Sequence, residues 1–352
     1  MPERREGVSL HAAWWPVHSY PASSAARDRF VLEHRGPRPA HDPWRYQDLL
    51  VEEEPTAEGR LARVATVFLT GRECPWRCVM CDLWRHTTVE DTPVGAIPAQ
   101  ILAARQALDQ QSDHVTQVKL YNSGSFFDPH TVPESDYLPI ASQLAGLDRV
   151  VVESHPSLIG PRVDRFLEAL AAGHTGAAPP AQLEIAMGLE TAHPEALERL
   201  HKRMTRSQFE RSALGVRDRG AALRVFLLIG PPFVAAGEQD DWLLRSIDAA
   251  FSCGASVVSL IPTRGGNGAM EALASDGAFR PPQLDDVERS VLLAHRSHSG
   301  RGRILVDLWD LERLPACPQC FPSRRLRLHL INLQQRLRPQ VACARCGAAE
   351  SP

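Results

Sequence analysis

Short apolar segments and amphipathic segments alternate along most of this chain, and few folds satisfy that order. Residues 64–70, 115–121, 149–153, 183–189, 223–229 and 256–261 are short and apolar throughout, and 304–308 reads as a seventh such segment. Between them, 99–108, 136–147, 163–172, 194–201, 207–219, 240–251 and 282–298 carry helical periodicity. Strands apolar on both faces and separated by helices predict a parallel sheet covered by helices, closed as a barrel or open and doubly wound. No Gly-x-Gly-x-x-Gly follows the first strand, which weakens the dinucleotide-binding form of the open sheet. In a barrel the reacting groups sit on loops at the carboxyl ends of the strands. The distinctive residues fall in those places: three cysteines after the first strand, Ser123-Gly124-Ser125 after the second, Glu153 ending the third and Glu190 after the fourth.

The chain has eight cysteines in 352 residues, and seven lie in clusters with two or three residues between neighbours. A net charge of −3 excludes a globally basic nucleic-acid binder but leaves room for a local basic patch. No apolar run reaches the roughly 18 residues of a membrane span. The opening Met1-Pro2-Glu3-Arg4-Arg5-Glu6 leads into no apolar secretory segment, so a cytoplasmic location without membrane attachment is expected. Clustered cysteines in that setting read as metal ligands before disulfides. Only two of the 39 basic residues are lysines, Lys119 and Lys202, so arginine abundance by itself carries little weight. Residues 1–60 lack clear periodicity; Trp14-Trp15-Pro16 and Pro43-Trp44-Arg45-Tyr46 read as anchors of an irregular segment on the body.

Cys74-Pro75-Trp76-Arg77-Cys78-Val79-Met80-Cys81 has the spacing Cys-x3-Cys-x2-Cys and directly follows the first strand. Three thiolates on one short loop can hold three irons of a 4Fe–4S cube and leave the fourth iron open. A single zinc held by Cys74, Cys78, Cys81 and His86 is the competing reading. The spacing resembles the signature of the radical S-adenosylmethionine superfamily. The resemblance implies that the open iron chelates S-adenosylmethionine. It also implies an electron donor such as a ferredoxin or flavodoxin, and a 5′-deoxyadenosyl radical that abstracts a substrate hydrogen. Where the superfamily usually has an aromatic residue before the last cysteine this chain has Met80, a polarizable side chain able to fill the same space.

Further segments resemble one branch of that superfamily, the one containing the archaeosine-biosynthesis radical enzyme and the elongator-type catalytic subunits. They run in order from Lys119-Leu120-Tyr121-Asn122-Ser123-Gly124-Ser125-Phe126-Phe127-Asp128 to Glu153-Ser154-His155-Pro156 and Gly188-Leu189-Glu190-Thr191-Ala192-His193. Leu228-Ile229-Gly230-Pro231-Pro232-Phe233 and Phe279-Arg280-Pro281-Pro282 complete the set. The resemblance implies an α/β fold, a partial (β/α)6 barrel of the TIM type, over roughly residues 61–310. An N-terminal extension over 1–60 precedes the barrel and a four-cysteine module over 311–352 follows it. Candidate cofactor contacts are Ser123, Gly124 and Ser125, whose backbone can approach a ligand closely, together with Glu153, Glu190 and Arg203. Each also has a plain structural reading: a strand-to-helix turn for the serines and glycine, ion pairs or helix starts for the carboxylates, a surface position for the arginine.

Cys317-Pro318-Gln319-Cys320 and Cys343-Ala344-Arg345-Cys346 are paired Cys-x-x-Cys knuckles. Four thiolates make a closed tetrahedral site of the structural zinc type, with a second iron–sulfur cluster as the alternative. Residues 324–337 between the knuckles read as an amphipathic helix. Between Cys320 and Cys346 the chain carries Arg324, Arg325, Arg327, Arg336, Arg338 and Arg345 and no acid, so this module reads as a solvated face or as a phosphate-contacting surface for tRNA. The expected activity is radical chemistry on a tRNA nucleoside. The alternatives are the same chemistry on a small metabolite or peptide, or a non-catalytic protein binding zinc and RNA.

Overall fold

The computed structural model describes residues 20–111, 114–174 and 179–347. The strands are β1 (Asp48–Pro55), β2 (Leu61–Phe68), β3 (Gln117–Tyr121), β4 (Arg149–Glu153), β5 (Gln182–Glu190), β6 (Ala222–Ile229), β7 (Val257–Pro262) and β8 (Arg303–Val306). The α-helices are α1 (Ser24–His34), α2 (Ala96–Gln110), α3 (Tyr137–Gln143), α4 (Pro161–Ala172), α5 (Pro194–Arg199), α6 (Arg206–Asp218), α7 (Gln239–Ser252), α8 (Ala269–Ser275), α9 (Leu284–His298) and α10 (Phe321–Gln334). Every apolar segment read from the sequence is a strand, with ends shifted by a few residues. The readings at Trp14-Trp15-Pro16 lie outside the described residues.

The eight strands form one sheet in sequence order, β2 to β8 parallel and β1 antiparallel to β2. Residues of all eight strands line one cavity, so the sheet is curled into an open barrel. β8 does not pair with β1; Arg303 donates to Pro55 O at 2.7 Å and Trp309 Nε1 to Glu52 at 3.2 Å across the seam. The outer face of the sheet packs against the helices through Val67, Leu120, Val152, Ile185, Val225 and Val258, all at most 1% exposed.

Strand β1 lies inside the segment read as an irregular lead-in. Its sequence, Asp-Leu-Leu-Val-Glu-Glu-Glu-Pro, lacks a recognisable apolar pattern because its Glu54 faces ionic partners in the barrel interior. Glu54 bonds Lys119 of β3 and, at 2.9 Å, Arg224 of β6. Arg224 Nε donates at 2.6 Å to Glu184 of β5, which also takes Arg149 of β4. The flanking cations hold both carboxylates below the ordinary range against the opposing effect of burial. Lowered folded-state values mean stability that is present near neutral pH and lost as pH falls through the acid range. Arg224→Met leaves two buried carboxylates short of a partner and should cost about 3–5 kcal/mol in denaturant unfolding.

The helix between the knuckles spans Phe321–Gln334 and covers the sheet's far edge. Asn332 accepts from Val306 N at 2.9 Å and donates to Val306 O at 2.8 Å. Gln335 repeats the pattern on Ile304 N and O, at 2.8 and 3.0 Å. Two side-chain amides therefore satisfy the groups a ninth strand would have paired. Arg324 and Arg327 do not form a phosphate-contacting surface. Both are buried, at 5% exposure, and paired with Glu288 of α9. Arg325, Arg336 and Arg345 remain exposed.

Candidate active site and metal centres

The cavity has a volume of about 880 Å3 and runs from the strand carboxyl ends into the barrel. Cys74, Cys78 and Cys81 line it from the loop after β2. That loop has no regular structure and is fixed by single bonds: Val79 N to Leu200 O at 3.0 Å, Cys81 N to Cys78 O at 3.1 Å, Arg77 to Cys74 O at 2.8 Å. Burial pushes all three thiols up, Cys78 to about 12, so a nearby cation is needed to make them thiolates. At its start Glu73 bonds Arg35 at 2.8 Å and also Arg38, both from the segment following α1.

Ser123, at φ +54°, begins the turn after β3, and a Cβ on Gly124 would lie 3.7 Å from the Cβ of Cys74. This turn and the cysteine loop are thus in near contact, and both border the cavity. Ser125 Oγ accepts from His155 N at 2.9 Å, a bond that ties the turn to the end of β4. His155 is held by Lys202 O at 2.9 Å and by Ser157 Oγ at 2.7 Å, and stacks on Trp76 at 3.8 Å. Burial and the neighbouring Lys202 lower its pKa to about 3, so the ring is neutral. His193 caps α5 through Ala196 N at 3.1 Å, a structural role.

Glu190, at φ +67°, takes a 2.5 Å bond from Lys202 Nζ. Gly188 leaves room for that pair: a Cβ there would stand 2.0 Å from the Glu190 carboxylate and 2.3 Å from Lys202 Nζ. Arg203 points elsewhere. Its guanidinium bonds Asp28 of α1 and its side chain is 42% exposed, whereas Lys202 lines the cavity. Left-handed backbone at His201 and Arg203, φ +61° and +55°, brackets Lys202 and sends neighbouring side chains to opposite sides. Lys202 was not among the candidate contacts read from the sequence, and its inward direction is set by those dihedrals.

Burial raises the Glu153 carboxyl to about 8, opposed in part by the Asn122 backbone amide and by Lys202. The folded chain keeps this proton while the unfolded chain loses it, so Glu153 costs stability as pH rises from about 4.5 towards 8. Glu153→Gln removes that cost. The Tm advantage of this variant in the metal-free chain should grow between pH 5 and about 8 and then level off. Deeper in the cavity, Phe68, Tyr121, Phe226 and Trp309 present their rings, with Phe68 and Trp309 at 5.1 Å.

The sulfurs of Cys317, Cys320, Cys343 and Cys346 lie within 4.8 Å of one another, the one group gathered for a single ion among the described residues. Backbone amides, first that of Cys346, draw the Cys343 thiol down to about 7. Four thiols gathered this closely can hold one metal ion as a tetrahedral set.

No family model matches the chain. It is 25% identical over 275 residues to the archaeosine synthase subunit beta of Methanosarcina acetivorans, covering 74% of both chains. An uncharacterized protein of Methanocaldococcus jannaschii is 24% identical over 218 residues, and the chain spans 56% of its length. Among solved structures, the archaeal Elp3 of Methanocaldococcus infernus superposes with a TM-score of 0.46 at 12% identity, over 60% of this chain and 52% of that one. The likeness to the archaeosine synthase subunit extends over three quarters of a chain whose cysteine loop opens into the barrel cavity. This likeness, together with the cysteine loop at the cavity, supports the resemblance to the radical S-adenosylmethionine superfamily read from the sequence.

Proposed function

We propose that Cys74, Cys78 and Cys81 hold a 4Fe–4S cluster, that S-adenosylmethionine binds beside it, and that the substrate is a nucleoside within tRNA. The observation that carries this reading is the convergence of three half-buried cysteines and the Ser123-Gly124 turn on one cavity large enough for a cofactor and part of a substrate. The residues fit the group. Buried thiols of raised pKa become good ligands next to cationic iron, and the triad with His86 is not gathered for one ion as the knuckle cysteines are. When bound, cluster and S-adenosylmethionine together supply a hydrogen-abstracting carbon radical by one-electron cleavage of the sulfonium bond.

The chain's own residues bind and orient. The backbone at Ser123 and Gly124 approaches the cofactor's amino and carboxylate groups, and Lys202, rather than the candidate contact Arg203, supplies the cation for the carboxylate. Glu190 holds Lys202 in place and accepts from hydroxyl groups. Glu153, protonated at neutral pH, donates rather than repels. The four-cysteine site carries zinc, and exposed Arg325, Arg336 and Arg345 meet phosphates.

The tRNA part rests on the likeness to a subunit named for archaeosine synthesis and on those exposed arginines. Anaerobic reconstitution tests the cofactor: about four irons per chain and 5′-deoxyadenosine on reduction are expected, and zinc alone would overturn it. Mass spectrometry of tRNA nucleosides with and without the gene tests the substrate. Unchanged nucleosides would move a small molecule ahead.

A further inference from the structure

We infer that Asn267 is a positioning residue that clamps the cysteine loop from the opposite side of the barrel. Asn267 sits between β7 and α8, 2% exposed, and every hydrogen-bonding atom of its side chain is used. Nδ2 donates to Val79 O at 2.7 Å and to Cys81 O at 3.2 Å. Oδ1 accepts from Met270 N at 2.8 Å, in the first turn of α8. The bonds to Val79 and Cys81 bracket Met80 and end on the last cysteine itself. No other side chain bonds the backbone of residues 78–81 among the described residues.

The clamp is built to be stiff. Glu271 of α8 accepts from Gly268 N at 2.7 Å and also from Gly266 N, closing the turn around Asn267. Gly268 has φ +83°, and a Cβ there would stand 1.9 Å from His34 O at the end of α1. The turn is therefore pressed from behind by the segment that also reaches Glu73 through Arg35 and Arg38. Val79, Phe233, Met270 and Leu273 share one buried cluster with Phe30 and Val31 of α1. A loop without regular structure has few backbone bonds of its own, and two carbonyls tied to one buried amide set the direction of the Cys81 side chain. Partners of this kind typically change metal affinity by about 10–100-fold.

Asn267→Asp separates this role from helix capping. An ionised carboxylate still accepts from Met270 N but offers no donor and repels the two carbonyls, so the experiment is run well above the ordinary carboxylate range, with Asn267→Ser beside it as the uncharged control. The inference rests on the cluster reading for its consequence, so the experiment has two arms. In the metal-free chain, hydrogen exchange at Val79 and Cys81 should speed up by about tenfold in the variant, more than any general rise set by its lower Tm. In the reconstituted chain, iron loss to a chelator should be at least about tenfold faster than in the parent. Exchange equal to the parent overturns the clamp, and so does faster exchange with iron loss unchanged. A parent that takes up no iron while the exchange difference is present leaves the clamp standing and overturns the cluster. Should Asn267→Asp fail to fold, Asn267→Ser, which reaches Met270 N but not the two carbonyls, gives the same readouts.

Discussion

Single replacement of Cys74, Cys78 or Cys81 by alanine should abolish reductive cleavage of S-adenosylmethionine and leave iron near background. In the proposed cluster each thiolate would hold one iron, and a cube with two protein ligands at a cavity mouth is open to water and loses iron. The three cysteines lie on one loop bordering the same cavity, so no position is a spare. The fold should survive: these thiols belong to a loop, while the sheet and its core are built from residues the substitutions do not touch. The check is 5′-deoxyadenosine under strong reductant together with iron analysis and circular dichroism. Product formation at parental rate in any of the three variants overturns the cluster assignment.

Cys343→Ser should release the metal of the four-cysteine site and loosen the helix that carries it, with cluster iron unchanged. A closed four-ligand site depends on every ligand, and its binding free energy is folding free energy for a small module. Here the loss is partial, because Leu328 and Ile331 of α10 are buried in the main core and Arg324 and Arg327 stay paired to α9. A new early unfolding transition is expected, together with faster hydrogen exchange at Ile304 and Val306, whose amides are bonded by Gln335 and Asn332. Metal analysis distinguishes the occupants: loss of one zinc supports the assignment, and loss of several irons identifies a second cluster.

The gathering of the four knuckle cysteines was legible because each Cys-x-x-Cys pair is local in sequence, and the strand order was legible because buried parallel strands are apolar on both faces. The barrel interior was not. Glu54, Glu184 and Arg224 make sense only together, and they come from three strands far apart in the chain. Read singly, Glu54 made β1 look like surface. Arg324 and Arg327 looked free because Glu288 lies outside the acid-free stretch that contains them. Which of Lys202 and Arg203 lines the cavity depended on backbone dihedrals that residue type does not announce, since neither His201 nor Arg203, both at positive φ, is glycine.

The grip of α10 on β8 bears on how the chain matures as it is made. β8 is complete before the helix that covers it has been synthesised, so the nascent barrel carries an unpaired parallel edge of four residues. An uncovered edge invites pairing with another chain. The interval ends when Asn332 and Gln335 dock, and the metal proposed for the four-cysteine site would secure that docking through a second pair of ligands that comes later still in the sequence. Cells short of that metal should accumulate aggregated chains with a nearly finished barrel, rather than soluble enzyme lacking only its tail.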